Sequence, residues 1–143
     1  EWGKKGNKES EFNIPHGISL DNNGNVYVAD RENNRIQVFD PNGKFIRQFA
    51  NNTYGAICSV AFDKTQSKLF AIDDFTFLKV MHRGSDVFVL DPTGKVQTRL
   101  GRSGSYEGNT TWYHDLTIDK DENIYVCDIL RNTLQKFRKI SNH

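Results

Sequence analysis

The chain is poor in several features that would narrow its function at once. It has two cysteines, Cys58 and Cys127, among 143 residues. Their spacing suits neither a zinc knuckle nor a redox pair. The expected state is two buried free thiols in strands of different repeats, with a disulfide as the other reading. No apolar run approaches the length of a membrane-spanning helix. Charge of one sign is not in excess either. Nineteen Lys and Arg stand against eighteen Asp and Glu, for a net charge of +1 with the signs interspersed. That balance argues against a strong commitment to nucleic acid or to an anionic membrane. The chain opens inside a strand-like segment without an initiator Met or a signal peptide.

What is present is a repeated grammar. Residues 12–49 read as four short strands: HGISLD, then Asn22-Asn23-Gly24, NVYVAD, a polar ENN turn, RIQVFD, Pro41-Asn42-Gly43, and KFIRQF. Alternation of apolar and polar residues with period two, bounded by Asn, Gly and Pro, marks antiparallel strands in a meander. Residues 112–140 repeat the order as WYHDLTID, NIYVCDI and TLQKFRKI. His16 precedes Asp30 by 14 residues, and His114 precedes Asp128 by 14 residues. AICSVAFD, KLFAIDD, DVFVLDP and TGKVQTRLG form a looser copy between them.

Four-stranded units recurring at roughly 40–50 residues predict an all-β fold of β-propeller blades, against an ordinary meander or sandwich. The expected blades are about 12–50, about 54–102 with an inserted loop at 75–85, and about 112–140. Residues 1–11 read as the end of an outer strand and an inter-blade loop. A propeller closes with about four to eight blades. Three therefore read as the C-terminal half of a larger propeller, or as a half that assembles with a partner.

Within blade one, the Asn23 turn places His16 near residue 30, at the same end as Arg31, and the next hairpin sets Tyr27 opposite Val38. The same pairing brings His114 and Asp128 to one end of blade three, so two imidazoles converge on one mouth of the channel. They could be part of a three-histidine zinc site with an open position, with Asp115 or Asp128 as second-sphere support. They could equally be hydrogen-bonded inner-strand residues filling the channel. Arg31 has the planar fork that binds a carboxylate. His82, in the loop, reads as a bystander, and His143 is terminal. Asn51-Asn52-Thr53 and Asn109-Thr110-Thr111 are glycosylation acceptors in a secreted chain.

The segments Glu1-Trp2-Gly3, Ile14-Pro15-His16-Gly17-Ile18-Ser19-Leu20, and Val28-Ala29-Asp30-Arg31-Glu32-Asn33-Asn34-Arg35-Ile36-Gln37 resemble NHL repeats of the peptidyl-α-hydroxyglycine α-amidating lyase family. The last blade, with His114-Asp115, Ile124-Tyr125-Val126 and Asn132-Thr133, resembles that family's final NHL blade. The resemblance implies a six-bladed propeller with a channel zinc held by His16, His114 and a third histidine in upstream blades. It further implies a calcium ligand at Asp115, an active-site arginine at Arg31, and a substrate-facing wall at Trp112.

The implied reaction cleaves peptidyl-α-hydroxyglycine to a peptide amide and glyoxylate, in a secreted or secretory-granule setting. The implied associates are that substrate, the N-terminal blades and an upstream monooxygenase domain, with no nucleic acid and no membrane segment. The isolated chain is expected to be inactive, because a ligand and the catalytic tyrosine belong upstream. Trp112-Tyr113 replace a Met-Pro pair of the family. Tyr27 and Val38 stand where the family can carry a disulfide. The competing function is a noncatalytic NHL propeller that binds protein or RNA; a different metal-dependent hydrolase or lactonase on a propeller is a third.

Overall fold

A computed structural model describes residues 1–50, 54–63, 65–77, 81–101 and 111–138. It is built from strands and one turn of 3-10 helix. Two short strands, β1 (Lys4–Lys5) and β2 (Glu11–Phe12), pair in parallel. The first full sheet is β3 (Pro15–Leu20), β4 (Val26–Asp30), β5 (Arg35–Phe39) and β6 (Phe45–Ala50), antiparallel in chain order. The second is β7 (Ala56–Phe62), β8 (Leu69–Phe77), β9 (Met81–Leu90) and β10 (Val96–Gly101), in the same order. The third is β11 (Tyr113–Ile118), β12 (Ile124–Asp128) and β13 (Thr133–Phe137). These antiparallel sheets are β-propeller blades, and Tyr27 pairs with Val38 as the hairpin chemistry predicts. No helix among the described residues is long and apolar enough to cross a membrane.

Turn chemistry explains why the strands stop where they do. Asp21, Asp40, Asp91 and Asp119 each follow an alternating strand, and one carboxylate oxygen of each accepts the backbone N–H groups two and four residues on. This local ring competes with continued pairing and reverses the chain. Asp63 closes its turn through the Thr65 and Ser67 hydroxyls and the Lys68 N–H. The Asn/Gly/Pro signals mark the same turns, but the carboxylate organises them.

The inserted loop at 75–85 is corrected by the backbone. Described residues 75–77 continue β8 and 81–85 begin β9, with Phe77 opposite Met81 and Thr76 opposite His82. The apolar residues there follow strand pairing, which the broken alternation of the segment concealed.

The sheets stack face to face. Tyr27, Ala29, Ile36, Val38 and Phe49 of the first sheet share a buried cluster with Ile57, Val60, Leu69 and Phe88 of the second. Phe70, Ile72 and Val87 on the other face of the second sheet share another with Tyr113, Leu116, Ile124 and Val126. Each such side chain stabilises by about 1.5–3 kcal/mol relative to leaving it in water. A smaller cluster (Val26, Val28, Phe39) lies on the far face of the first sheet. Trp2 and Phe12 cover its outer half, with ring centroids 6.1 and 5.7 Å from Phe39.

Candidate functional site

The inner strand of each blade is its first, and β7 packs between β3 and β11. The approach of β3 to β7 is close at Gly17, where a Cβ would sit 2.8 Å from the Cys58 carbonyl oxygen and 2.8 Å from the Ser59 Cα. Only glycine lets the two inner strands meet this way.

Each inner strand carries an irregularity at the same level. Pairing skips a residue between Pro15 and Gly17, between Ile57 and Ser59, and between Tyr113 and Asp115. The residues passed over are His16, Cys58 and His114. An extra residue in one strand re-aims its side chain out of the regular alternation. The three bulges therefore do what uniform strands could not, turning equivalent positions of consecutive blades toward the channel mouth. His16 and His114 meet there edge to face, with ring centroids 4.7 Å apart. Their convergence follows the predicted blade rotation.

His16 Nδ1 lies 2.7 Å from the Cys58 carbonyl oxygen. A carbonyl oxygen can only accept, so Nδ1 carries the proton and donates. Nε2 then holds the free lone pair, the tautomer that a metal or a proton donor requires. Cys58 stands in blade two where the other blades have histidine. The signal was legible in the sequence: His16, Cys58 and His114 each precede the turn aspartates Asp21, Asp63 and Asp119 by five residues. Reading the middle copy as merely loose hid it.

Cys58 is buried, as expected. Burial pushes its thiol up to about 11, against the opposing pull of the Arg31 guanidinium beside it. Cys127 is exposed, which corrects the expectation of two buried thiols. It lies on the face of the third sheet that no other sheet covers among the described residues. The two cysteines are free, so the disulfide reading fails as well.

Arg31 stands at the same mouth, since its N–H donates to the Ile14 carbonyl at 3.3 Å. Its guanidinium pairs with Glu32 and lies 3.9 Å from Asp74. An incoming carboxylate would exchange with these partners. Asp115 Oδ1 accepts from the Ser59 hydroxyl at 2.6 Å and from the Leu116 N–H at 2.9 Å, so this oxygen bridges two inner strands.

Asp128 is not support for a metal-bound histidine. It is buried, and its carboxylate accepts the N–H groups of Trp112, Leu130 and Arg131. Asp30 does the matching work in blade one, accepting the Asn13 N–H, Arg35 Nε at 2.7 Å and Gln37 Nε2 at 3.1 Å. Arg35 in turn donates to the carbonyls of Asn7, Lys8 and Glu11. The shared 14-residue spacing thus reports a structural carboxylate that ties the second strand to the chain entering the blade. Trp112 is half-buried beside this turn and its carbonyl accepts the Ile129 N–H at 3.0 Å.

Among the described residues, no three His, Cys, Asp or Glu side chains stand close enough together to hold a metal ion. Two imidazoles fit the implied zinc and the rest of a ligand set does not accompany them. His82 has its backbone in β9. Asn51, Asn109 and His143 lie outside the described residues.

The profile of the NHL repeat matches residues 12–39. Protein lin-41 of Caenorhabditis elegans is 51% identical over 45 residues, covering 32% of this chain and 4% of that protein. NHL repeat-containing protein 3 of Homo sapiens is 58% identical over 38 residues, covering 27% of this chain and 11% of that protein. The E3 ubiquitin-protein ligase TRIM71 of Rattus norvegicus is 50% identical over 44 residues, 31% of this chain and 5% of that protein. The chain thus spans a small part of these curated relatives. Among solved structures, a protein of unknown function from Bacteroides caccae superposes with a TM-score of 0.60 at 16% identity, covering 78% of this chain and 37% of that one. The likeness is one of fold.

Proposed function

We propose that the chain is part of an NHL-type propeller that acts as a protein-binding scaffold, with its partner held at the channel mouth. The observation that carries this reading is the rim of that mouth. Ile14, Ile129 and Leu130 are 53%, 46% and 49% exposed there, next to Arg31 and Arg131. Exposed aliphatic side chains interspersed with arginine have the composition of a protein interface. The net charge of +1 gives no overall basic excess to favour RNA. The relatives support the same reading. A repeat shared with proteins as different in name as an E3 ubiquitin-protein ligase and an NHL repeat-containing protein is a surface that different machines carry.

The test is cross-linking in cell extract of the chain and of two variants, Ile129→Asp with Leu130→Asp at the mouth and Asn42→Asp at the opposite end. Partners kept by Asn42→Asp and reduced about tenfold or more by the mouth variant support the scaffold. Equal capture by all three overturns it.

A second reading has its own observation, the imidazole pair with His16 Nε2 left free. It is the zinc-dependent amidating lyase in a secretory setting, with a structural calcium at Asp115. A zinc bound there would act as a Lewis acid on the substrate α-hydroxyl. The chain's own residues would orient rather than react: Cys58 O fixes the His16 ring, and Arg31 would take the substrate carboxylate in exchange for Glu32. Zinc titration of the native full-length protein followed by calorimetry, with glyoxylate release as a second readout, tests it. Binding lost in His16→Ala and in His114→Ala supports the reading. Absence of zinc binding and of glyoxylate release by that folded full-length protein ends it.

A further inference from the structure

The aspartate-closed turn recurs, but the residue two places after the aspartate changes from blade to blade. It is Thr93 after Asp91 and Asp121 after Asp119, whereas in blade one it is Asn23 after Asp21 and Asn42 after Asp40. A glycine comes next in both blade-one turns, Gly24 with φ +78° and Gly43 with φ +86°. Asn23 and Asn42 are exposed. An asparagine before glycine sets a primary amide beside a backbone nitrogen that no Cβ shields. That nitrogen is a nucleophile toward the amide carbon once its proton is lost. Asn25 and Asn123 precede Val26 and Ile124 instead, whose branched side chains crowd the same approach.

In the folded chain both nucleophiles are engaged. The Gly24 N–H donates to the Asp21 carbonyl at 2.9 Å, and the Gly43 N–H to the Asp40 carbonyl at 3.0 Å. The Asn23 and Asn42 N–H groups are held by the Asp21 and Asp40 carboxylates, each at 2.9 Å. Reaction therefore proceeds from a turn that has opened locally, and the cost of opening sets the rate. The two turns differ in that cost. The indole of Trp2 lies on Gly43, where a Cβ would stand 2.8 Å from a ring carbon. Pro41 also fixes the backbone angle one residue before Asn42. At Gly24 a Cβ would meet only the Pro41 ring, at 3.2 Å, and Asn22 stands in place of the proline. The tie from this turn to blade two is an exposed hydrogen bond from the Asn22 N–H to the Gln66 side chain. Such a bond gives way more readily than ring packing.

We infer that Asn23 is a site of spontaneous modification, deamidating faster than Asn42 in the folded chain. The Gly24 nitrogen loses its proton to solvent base and bonds to Cγ of Asn23. The Cγ–Nδ2 bond breaks, and Nδ2 leaves as ammonia with a proton from water. The cyclic succinimide then takes up one water. Reopening of the Cγ–N bond gives aspartate, and reopening of the bond from the main-chain carbonyl carbon to that nitrogen gives isoaspartate. Asp121 occupies this place in blade three and its N–H donates to Asp119 in the same way, so aspartate fits the turn. Isoaspartate adds Cβ to the main chain and displaces the Gly24 N–H from the Asp21 carbonyl. The β3–β4 hairpin that carries His16 is then loosened at its far end. Neither reading of the channel mouth is needed for this chemistry.

The experiment is peptide mapping by mass spectrometry of the full chain after incubation at mildly alkaline pH, folded and in denaturing urea. Chromatography separates the aspartyl and isoaspartyl forms. In the folded chain modified Asn23 should accumulate about fivefold or more faster than modified Asn42. In urea the two rates should converge, because the clamps on the two turns are gone. Trp2→Ala should raise the Asn42 rate severalfold and leave the Asn23 rate as it was. Asn23→Asp should unfold at the parent's urea midpoint, whereas chain enriched in isoaspartate at residue 23 should unfold at a lower one. A folded chain that stays unmodified at Asn23, or that modifies Asn42 as fast, overturns the proposal. So does a preference for Asn23 that persists undiminished in urea. An Asn42 rate indifferent to Trp2→Ala, in a variant that keeps the parent's far-ultraviolet spectrum, overturns it as well.

Discussion

Gly17 shows how much one position can decide. It stands in β3 without an unusual backbone angle, and its sequence context, between a histidine and an isoleucine, marks no turn. Its requirement arises in the neighbouring blade, where backbone atoms of Cys58 and Ser59 occupy the space of a Cβ. Backbone cannot yield as a flexible side chain can. Gly17→Ala is expected to lower stability by about 1–3 kcal/mol through overpacking, read from the midpoint of urea unfolding. A change within about 0.5 kcal/mol would mean that the inner strands are free to separate. Cys58 is the complementary case. Its register was open to a sequence reading, but the role of its carbonyl in orienting His16 was not, because that contact joins residues 42 positions apart.

At the scale of the element, the unit repeated most faithfully is the aspartate-closed turn. In Asp119 the side-chain N–H of Asn123 leads the stabilisation of the carboxylate, with the Asn123 and Asp121 N–H groups and the Tyr125 hydroxyl adding to it, and the group is held down at about 2. Asp91 is lowered mainly by the Thr93 hydroxyl. In Asp63 burial acts upward but is outweighed by the hydrogen bonds from Thr65, Lys68 and Ser67. A carboxylate depressed in the folded state contributes stability above its unfolded value, here 3.8, and that contribution is lost as pH falls through the folded one. Urea midpoints should therefore be level near neutrality and fall between about pH 4 and pH 2. Asp119→Asn keeps the acceptor oxygen without the titration. Its acid slope should be shallower than the parent's; an identical slope would show that these turns do not govern acid stability.

At the scale of the whole molecule, the blades are alike in pattern and unlike in surroundings. Positions 18, 60 and 116 are all aliphatic, and their burial differs only because two have a sheet over them and one does not. Composition cannot report that difference. The same holds at the channel mouth, where His16, Cys58 and His114 are related by bulges in three strands. A bulge changes the direction of one side chain without changing the alternation around it, so periodicity passes over it.

The sequence by itself determined most of the strands, their turns, and the hairpin register that pairs Tyr27 with Val38, because each follows from interactions between residues close in the chain. The convergence of His16 and His114 was also within its reach, once the repeat was taken as a rotation. Only the tertiary structure decided which way Cys127 faces, that Asp128 serves the backbone, and that residues 75–77 and 81–85 belong to paired strands. Those outcomes depend on which surfaces come to lie against one another, and on hydrogen bonds between groups that local sequence does not bring together.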